Sequence, residues 1–289
     1  MPHGERLWRL FWKVVCLSCF CFAGLFVIAH ANADQEVQFE SAPVQPTLLQ
    51  ERLARERGEA LEVSPGVPLK GYLTRPQGDG PFPAVVLLHG CGGIRASVKE
   101  TWPERLSSWG YVVLVVDSFS TRGIHDTCDH IFFERVYDAY GALEFLSKSS
   151  FVDPKRVALM GFSAGGIATL QAVQLGAAEV LMEQKFKAAV AYYPICSVSS
   201  GDMAVPTLIL AGELDDWSPA EKCRAMMKKR SGKGSLVQLD VYDGARHAFD
   251  SPEFKTGVEA YGHRLEYNAA AADQSVKDVR VFLQEAFGD

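Results

Sequence analysis

The sequence predicts a doubly wound, mostly parallel α/β sheet with an antiparallel N-terminal edge. Three observations carry that expectation. Apolar runs that could be buried on both faces recur along the chain, as a parallel strand covered by helices requires. Segments with helical patterning lie between them, and such alternation is the mark of one wound sheet. Ahead of the first dense run, Leu61 to Val63 and Leu69 to Leu73 are short strand candidates separated by Pro65-Gly66, able to form an antiparallel edge pair.

The elements follow in order. Residues 1–33 read as a secretory signal. Arg6, Arg9 and Lys13 give a positive start, and Val14 to Ala29 is almost unbroken apolar sequence. Ala31-Asn32-Ala33 supplies small residues for a cut before Asp34, with Ala29-His30-Ala31 as a second site. The apolar run is shorter than the roughly 20 residues of a full membrane span. The expectation is therefore a secreted or periplasmic protein with no stable span after cleavage, and a membrane-anchored one if the signal is not cut. Cys19 and Cys21 lack the leucine-x-small approach of a lipidation site. Residues 34–59 form a polar N-terminal segment, expected to be a tether that leads into a short helix from Leu48. Residues 60–289 form the domain.

Within the domain the dense runs are Ala84 to Leu88, Tyr111 to Val116, Val157 to Met160, Ala188 to Tyr193 and Thr207 to Ala211. Leu236 to Tyr242 is a weaker one. Helices are expected from Val98 to Trp109, from Phe133 to Leu146, and from Ser163 to Leu175. Ser218-Pro219-Ala220-Glu221 reads as a capping box with proline at the first helical position. A last helix spans Ala272 to Phe287, where Val276, Val279, Leu283 and Phe287 share one face.

The length of 289 residues suits one large α/β domain. The 48% hydrophobic and 22% charged content is that of a globular enzyme and excludes a disordered or collagen-like chain. With a net charge of -6 and no basic cluster beyond the N-terminus, no nucleic-acid partner is expected.

Residues 161–166 read GFSAGG, a G-x-S-x-G pattern entered by the strand Val157 to Met160 and left by a helix. That context lifts the Ser163 hydroxyl clear of the sheet, and the glycines leave room for the tight turn. A serine needs a base, and the base an orienting acid, placed later in the chain in the order Ser, acid, His. Strand Thr207 to Ala211 ends in Gly212-Glu213-Leu214-Asp215-Asp216, and strand Leu236 to Tyr242 runs on to His247. His263 also follows the acids, but in a polar stretch with no strand before it, so His247 is the expected base. Asp215 and Asp216 both remain open as the acid, with Glu213 a distant third. Oxyanion donors are expected from the N–H of Ala164 and from the His89-Gly90-Cys91-Gly92-Gly93 loop, through Cys91 with Gly92 as runner-up. His89 and Cys91 have no second Cys/His pair at ligand spacing, so neither a metal nor a cofactor is expected. Phe162, Trp217 and Phe249 are candidate pocket walls and equally candidate packing residues.

With these residues placed, the chain resembles the dienelactone hydrolase family of α/β-hydrolases over about residues 60–288. The carriers are FPAVVLLHGCGG at 82–93, WGYVVLVVDSFSTRG at 109–123, VDPKRVALMGFSAGG at 152–166, AYYPIC at 191–196, AGELDDWSPAEKC at 211–223 and YDGARHAFD at 242–250. In that resemblance Gly212, Asp215 and Pro219 stand where the family keeps its catalytic aspartate, which selects Asp215 over Asp216. His247 before Ala248-Phe249 stands at the catalytic histidine. The namesake enzymes use a cysteine nucleophile where this chain has Ser163, and serine members of the wider group look like general esterases. The resemblance thus implies a serine hydrolase of small carboxylic esters or lactones. An exported peptidase or acyltransferase with the same triad, and a non-catalytic binding protein on the same scaffold, are the competing readings.

Cleavage of the signal leaves Cys91, Cys128, Cys196 and Cys223, an even set that reads as two disulfides in an exported protein, against the alternative of four buried thiols. Three connectivities exist. Adjacent strands lie about 4.8 Å apart, so loops after neighbouring strands can meet. That favours Cys91–Cys128 and Cys196–Cys223.

Overall fold

A computed structural model describes residues 32–288, apart from 47, 61–62, 131 and 198–199. Eight strands form one sheet in the order β1-β2-β4-β3-β5-β6-β7-β8. They are β1 (Asn32–Glu40), β2 (Pro68–Arg75), β3 (Phe82–Leu88), β4 (Val112–Asp117), β5 (Val152–Phe162), β6 (Ala188–Tyr192), β7 (Thr207–Gly212) and β8 (Val237–Tyr242). The β1–β2 and β2–β4 pairs are antiparallel, and every pair from β4 to β8 is parallel. The helices are α1 (Leu48–Arg57), α2 (Trp102–Ser108), α3 (Arg135–Ser147), α4 (Ala164–Val173), α5 (Ala220–Lys228) and α6 (Ala269–Phe287). A small hairpin, β9 (Val258–Ala260) with β10 (His263–Leu265), lies outside the main sheet.

Strand periodicity divides the core into two layers. Ala84, Val86 and Leu88 of β3 face one way and pack with Val136 and Leu143 of α3 and Leu170 of α4. Val85 and Leu87 face the other way and pack with Trp102 and Leu106 of α2 and with Val279, Leu283 and Phe287 of α6. Both faces of β3 and β4 are thus buried, which is why their sequences are continuous apolar runs rather than alternating ones. The parallel strands end on one side of the sheet, and that carboxyl edge holds the loops that matter below.

Several expectations need correction. Residues 34–40 are not a tether. They belong to β1, which forms the outer antiparallel edge with β2 through pairs such as Val37–Gly71 and Phe39–Leu69. Half-polar alternation, QEVQFE, is what a one-sided edge strand shows, and it passes for a loop when only dense runs are sought. The expected edge pair of 61–63 with 69–73 is replaced by this one. Leu61 and Glu62 lie outside the described residues. The capping box at Ser218 is not formed either. Pro219 is the N-cap of α5, and the Ser218 backbone N–H is committed to Asp215 Oδ1 at 2.7 Å. The helix from Val98 opens as a π-turn, Ser97–Thr101, before α2. The signal segment lies outside the described residues except for Asn32 and Ala33, which open β1. No helix among the described residues is long and apolar enough to cross a membrane.

The N-terminal edge is locked to the body through α3. The Ala42 N–H donates to the Tyr137 carbonyl at 2.9 Å. A Cβ built on Gly141 would lie 2.1 Å from the Glu40 carbonyl oxygen and 2.7 Å from the Ser41 Cα. Glycine inside a helix ordinarily costs about 1 kcal/mol relative to alanine, so here close approach of backbone overrides helix propensity. Gly141→Ala should therefore destabilise the protein, by about 1–3 kcal/mol as for overpacked sites. Urea unfolding checks it, and a gain in stability would show that the N-terminal strand yields without cost.

Candidate active site

At the end of β5 the chain reverses into α4 through Ser163, whose backbone sits at φ 53°, ψ -115°. A side chain there is strained, at a typical cost of about 1–3 kcal/mol. The turn is tight because Gly161 and Gly165, two residues to either side, have no side chains. A Cβ on Gly161 would lie 2.2 Å from the Gly165 oxygen, and one on Gly165 would lie 2.4 Å from the Leu88 oxygen and 2.6 Å from the His89 oxygen. Hydrogen bonds then fix both sides of the turn: the Ser163 N–H donates to the Tyr192 carbonyl, and the Ile167 N–H to the Ser163 carbonyl, each at 2.9 Å. All four non-glycine residues at positive φ among those described, Ser163, Tyr193, Ala248 and Tyr261, line the same cavity.

Loops beyond β7 and β8 meet this turn. His247 Nε2 lies 2.9 Å from Ser163 Oγ, and His247 Nδ1 lies 2.8 Å from Asp215 Oδ2. The carboxylate of Asp215 is fully buried. Its other oxygen accepts the backbone N–H groups of Trp217 at 3.0 Å and Ser218 at 2.7 Å. Because an ionised carboxylate only accepts, His247 carries its proton on Nδ1 and leaves Nε2 free to accept from the serine hydroxyl. Asp216 points elsewhere, half exposed and 3.7 Å from His263 Nδ1. His263 is preceded by a strand after all, β9, but its ring stacks on Trp217 at 5.0 Å rather than facing Ser163.

Two cavities, of about 280 and 230 Å³, meet at Ser163, with Cys91, Cys128 and Trp217 lining both. Ala164 lines the smaller one, and His247 and Tyr193 the larger. Cys91 is bonded to Cys128, and Cys196 to Cys223. Among the described residues no group of three or more His, Cys, Asp or Glu is placed to hold a metal ion.

The family model for the dienelactone hydrolases matches residues 69–287. The chain belongs to the dienelactone hydrolase family. It is accordingly a carboxylic-ester or lactone hydrolase with the α/β-hydrolase fold. Protein usf of Aquifex pyrophilus is 26% identical over 64% of this chain and 83% of its own length. Lipase 1 of a Moraxella species is 28% identical over 60% of this chain, which spans about half, 51%, of that lipase. Among solved structures, a dienelactone hydrolase-like promiscuous phosphotriesterase from metagenomic libraries superposes with a TM-score of 0.63 at 21% identity, covering 88% of this chain and 99% of its own. At that identity the likeness speaks for the fold alone.

The dienelactone hydrolase scaffold here carries supporting residues that sequence reasoning missed. Tyr193 packs its ring 4.8 Å from that of His247 and donates its hydroxyl to Asp250 Oδ1 at 2.7 Å, while the Trp102 indole donates to Asp250 Oδ2 at 3.0 Å. Burial pushes the Asp250 carboxyl up, against those two donors. Arg135, also buried, donates to the carbonyls of His89 and Gly90. The signal that could have marked Arg135 is its place in a helix whose other buried residues are mostly apolar. Phe162 and Trp217 line the larger cavity. Phe249 does not; it is wholly buried against Tyr192 and Tyr242.

His89 is enclosed beneath this loop. Its Nδ1 bonds the Gly90 carbonyl at 2.7 Å and its Nε2 faces the Ser118 N–H at 3.4 Å, as a neutral ring requires. Burial, with Arg135 nearby, lowers its pKa from 6.5 to about 3. The unfolded chain therefore binds the extra proton between those values, and stability is present above pH 6.5 and lost as pH falls toward 3, at up to about 1.4 kcal/mol per pH unit. His89→Gln should flatten the decline between pH 6.5 and 4 in denaturant titrations. An unchanged slope would assign acid sensitivity to other groups.

Proposed function

We propose that Ser163 is the nucleophile of a cofactor-independent hydrolase acting on small carboxylic esters or lactones, with His247 as general base and Asp215 as its orienting acid. The observation that carries this reading is the unbroken chain of short contacts, 2.9 Å from Ser163 Oγ to His247 Nε2 and 2.8 Å from His247 Nδ1 to Asp215. Ser163 Oγ attacks the carbonyl carbon as its proton passes to His247 Nε2. The tetrahedral oxyanion is held by the N–H groups of Cys91 and Ala164. Collapse expels the alkoxide, which takes the proton from His247 and leaves an acyl-serine. A lactone keeps its alkoxide tethered to the acyl group. Water, deprotonated by His247, then attacks the acyl-serine and regenerates Ser163. Asp215 stays ionised throughout and stabilises the imidazolium. Two modest cavities that meet at the serine suit a small substrate with a group on either side of the scissile bond.

Ser163→Ala should remove activity on p-nitrophenyl esters by several powers of ten, leaving a residue of about 10³–10⁴ over water from binding and the oxyanion site. A folded variant that keeps a tenth of the activity would exclude Ser163 as the nucleophile. Labelling of Ser163 by a fluorophosphonate separates an enzyme from a binding protein on this scaffold. Asp215→Asn should cost far more than Asp216→Asn, since Asp216 sits half exposed beside His263. Equal modest losses in the two would place the acid elsewhere.

We further propose export through residues 1–33 followed by cleavage. Two disulfides among the described residues support it, because such bonds persist in oxidising compartments. The register of β1 on β2 breaks between Asn32 and Gln35, so a cut after Ala33 leaves the continuous ladder from Gln35 to Glu40 intact. Peptide mapping under non-reducing conditions, on protein exported by its own signal, should yield Cys91–Cys128 and Cys196–Cys223 and an N-terminus at Asp34 or Asn32. Four free thiols would overturn the export reading.

A further inference from the structure

The peptide joining Gly90 to Cys91 is gripped along one edge. Its carbonyl, on Gly90, accepts from Arg135 Nη2 at 3.1 Å, from His89 Nδ1 at 2.7 Å and from the Gly93 N–H at 3.3 Å. Arg135 Nη1 donates to the preceding carbonyl, that of His89, at 2.5 Å. Arg135 is 1% exposed, and Phe119 lies against its guanidinium with 4.7 Å from Cζ to the ring centroid. Burial works against its charge and nearby Arg122 repels it, while the buried Asp138, which Arg122 clamps with bonds of 2.9 and 2.7 Å, favours it.

A trans peptide carries its C=O and its N–H on opposite edges. Holding the Gly90 carbonyl toward Arg135 therefore turns the Cys91 N–H away from Arg135. The far side is the Ser163 side: a Cβ on Gly90 would lie 3.7 Å from Ser163 Cβ, and Cys91 with Gly90 lines the larger cavity, which reaches Ser163 and which Arg135 does not line. The disulfide does not achieve this by itself. It fixes the Cys91 side chain but leaves the peptide plane free to turn about Gly90, Gly92 and Gly93, residues with wide backbone freedom.

We propose that Arg135 is the positioning residue of the oxyanion site: its planar fork over two consecutive carbonyls sets the Cys91 N–H for the tetrahedral intermediate formed at Ser163. The inference rests on Ser163 being the nucleophile. Arg135 borders the smaller cavity, and its guanidinium bonds go to the loop carbonyls rather than to Ser163. Lysine cannot replace it, because a single ammonium lacks the rigid pair of donors.

The test uses the full chain, a p-nitrophenyl ester and an alkylboronic acid, whose tetrahedral adduct on Ser163 Oγ places an oxygen where the oxyanion forms. For folded Arg135→Lys and Arg135→Ala, kcat should fall by about 10²–10³, the loss seen when an oxyanion donor is removed. KM should stay within about twofold, as for an interaction made only in the transition state. Boronate affinity should weaken in step with kcat, and millimolar guanidinium should restore part of the kcat of Arg135→Ala. Independently of any variant, the Cys91 amide proton of the native protein should move strongly downfield in the NMR spectrum when the boronate binds. A Cys91 amide that stays still while Ser163 carries the boronate overturns the inference. So do folded variants that keep kcat and boronate affinity, or a loss confined to KM. If fluorophosphonate and boronate both leave Ser163 untouched, the nucleophile reading itself has failed, and this inference with it.

Discussion

The strained turn at Ser163 is the constraint on which the rest of the carboxyl edge depends. A backbone at φ 53° is uphill for any residue with a Cβ, and the sheet has to hold it there. It does so by placing the turn at the centre of the sheet, with β3 on one side of β5 and β6 on the other. The register then leaves no slack. Leu88 pairs with Gly161, and Phe162 pairs with Tyr192, so the strands run in step until the chain turns. Glycines at 161 and 165 are consequences of that arrangement: helix α4 descends so close to β3 and β5 that a methyl group would overlap backbone oxygens. Strain and packing are two sides of one device, since only a rigid parallel sheet could keep the hydroxyl raised.

Around that turn the charged groups are buried in compensated sets. Asp215 is met by two backbone N–H groups and an imidazole, Asp250 by a phenol and an indole, and Asp138 by a guanidinium fork. A buried charge without partners would cost several kcal/mol, so each of these sets also fixes the side chains that surround it. Asp250 orients Tyr193, and Tyr193 and Trp217 then lie against His247 with ring centroids 4.8 and 5.1 Å away. The imidazole is confined by packing as well as by its hydrogen bonds, which limits its rotation away from the serine.

How far the sequence could be read follows from which signals are local. Buried parallel strands write themselves as continuous apolar runs, and those runs mark β3 to β8 within a residue or two of their ends, apart from the polar start of β5. The candidates Ser163, Asp215 and His247 lie in the loops that follow those ends, while the choice of Asp215 over its neighbour Asp216 rests on the family resemblance. What escaped was set by tertiary contact. The alternation in residues 35–40 is too polar to stand out without knowing that β2 needs an edge partner. Ser218 matches a capping box in every residue, yet its N–H is taken by Asp215, a competition invisible to a four-residue pattern. Arg135 lies 46 residues from the His89 carbonyl it holds. Its role exists only because α3 packs behind the loop that follows β3.

The two disulfides complete the same logic. Cys196–Cys223 lies in the core, where both residues are buried and Cys223 belongs to α5. Cys91–Cys128 instead joins segments beyond the carboxyl ends of β3 and β4, where the backbone has left the hydrogen-bonded ladder. Cys128 ties the long segment after β4 to the glycine-rich turn after β3, and the Thr127 N–H adds a bond to the Cys91 carbonyl at 3.0 Å. Closing a loop of 37 residues is worth about 3–4 kcal/mol on the chain-entropy model. That stabilisation acts on segments that the strand ladder does not hold. It fixes one end of the Cys91 residue, and Arg135 fixes the peptide at the other. A glycine-rich loop can then be permissive enough to bend sharply over Ser163 and still be rigid when assembled, because its stiffness is supplied by groups outside its own sequence.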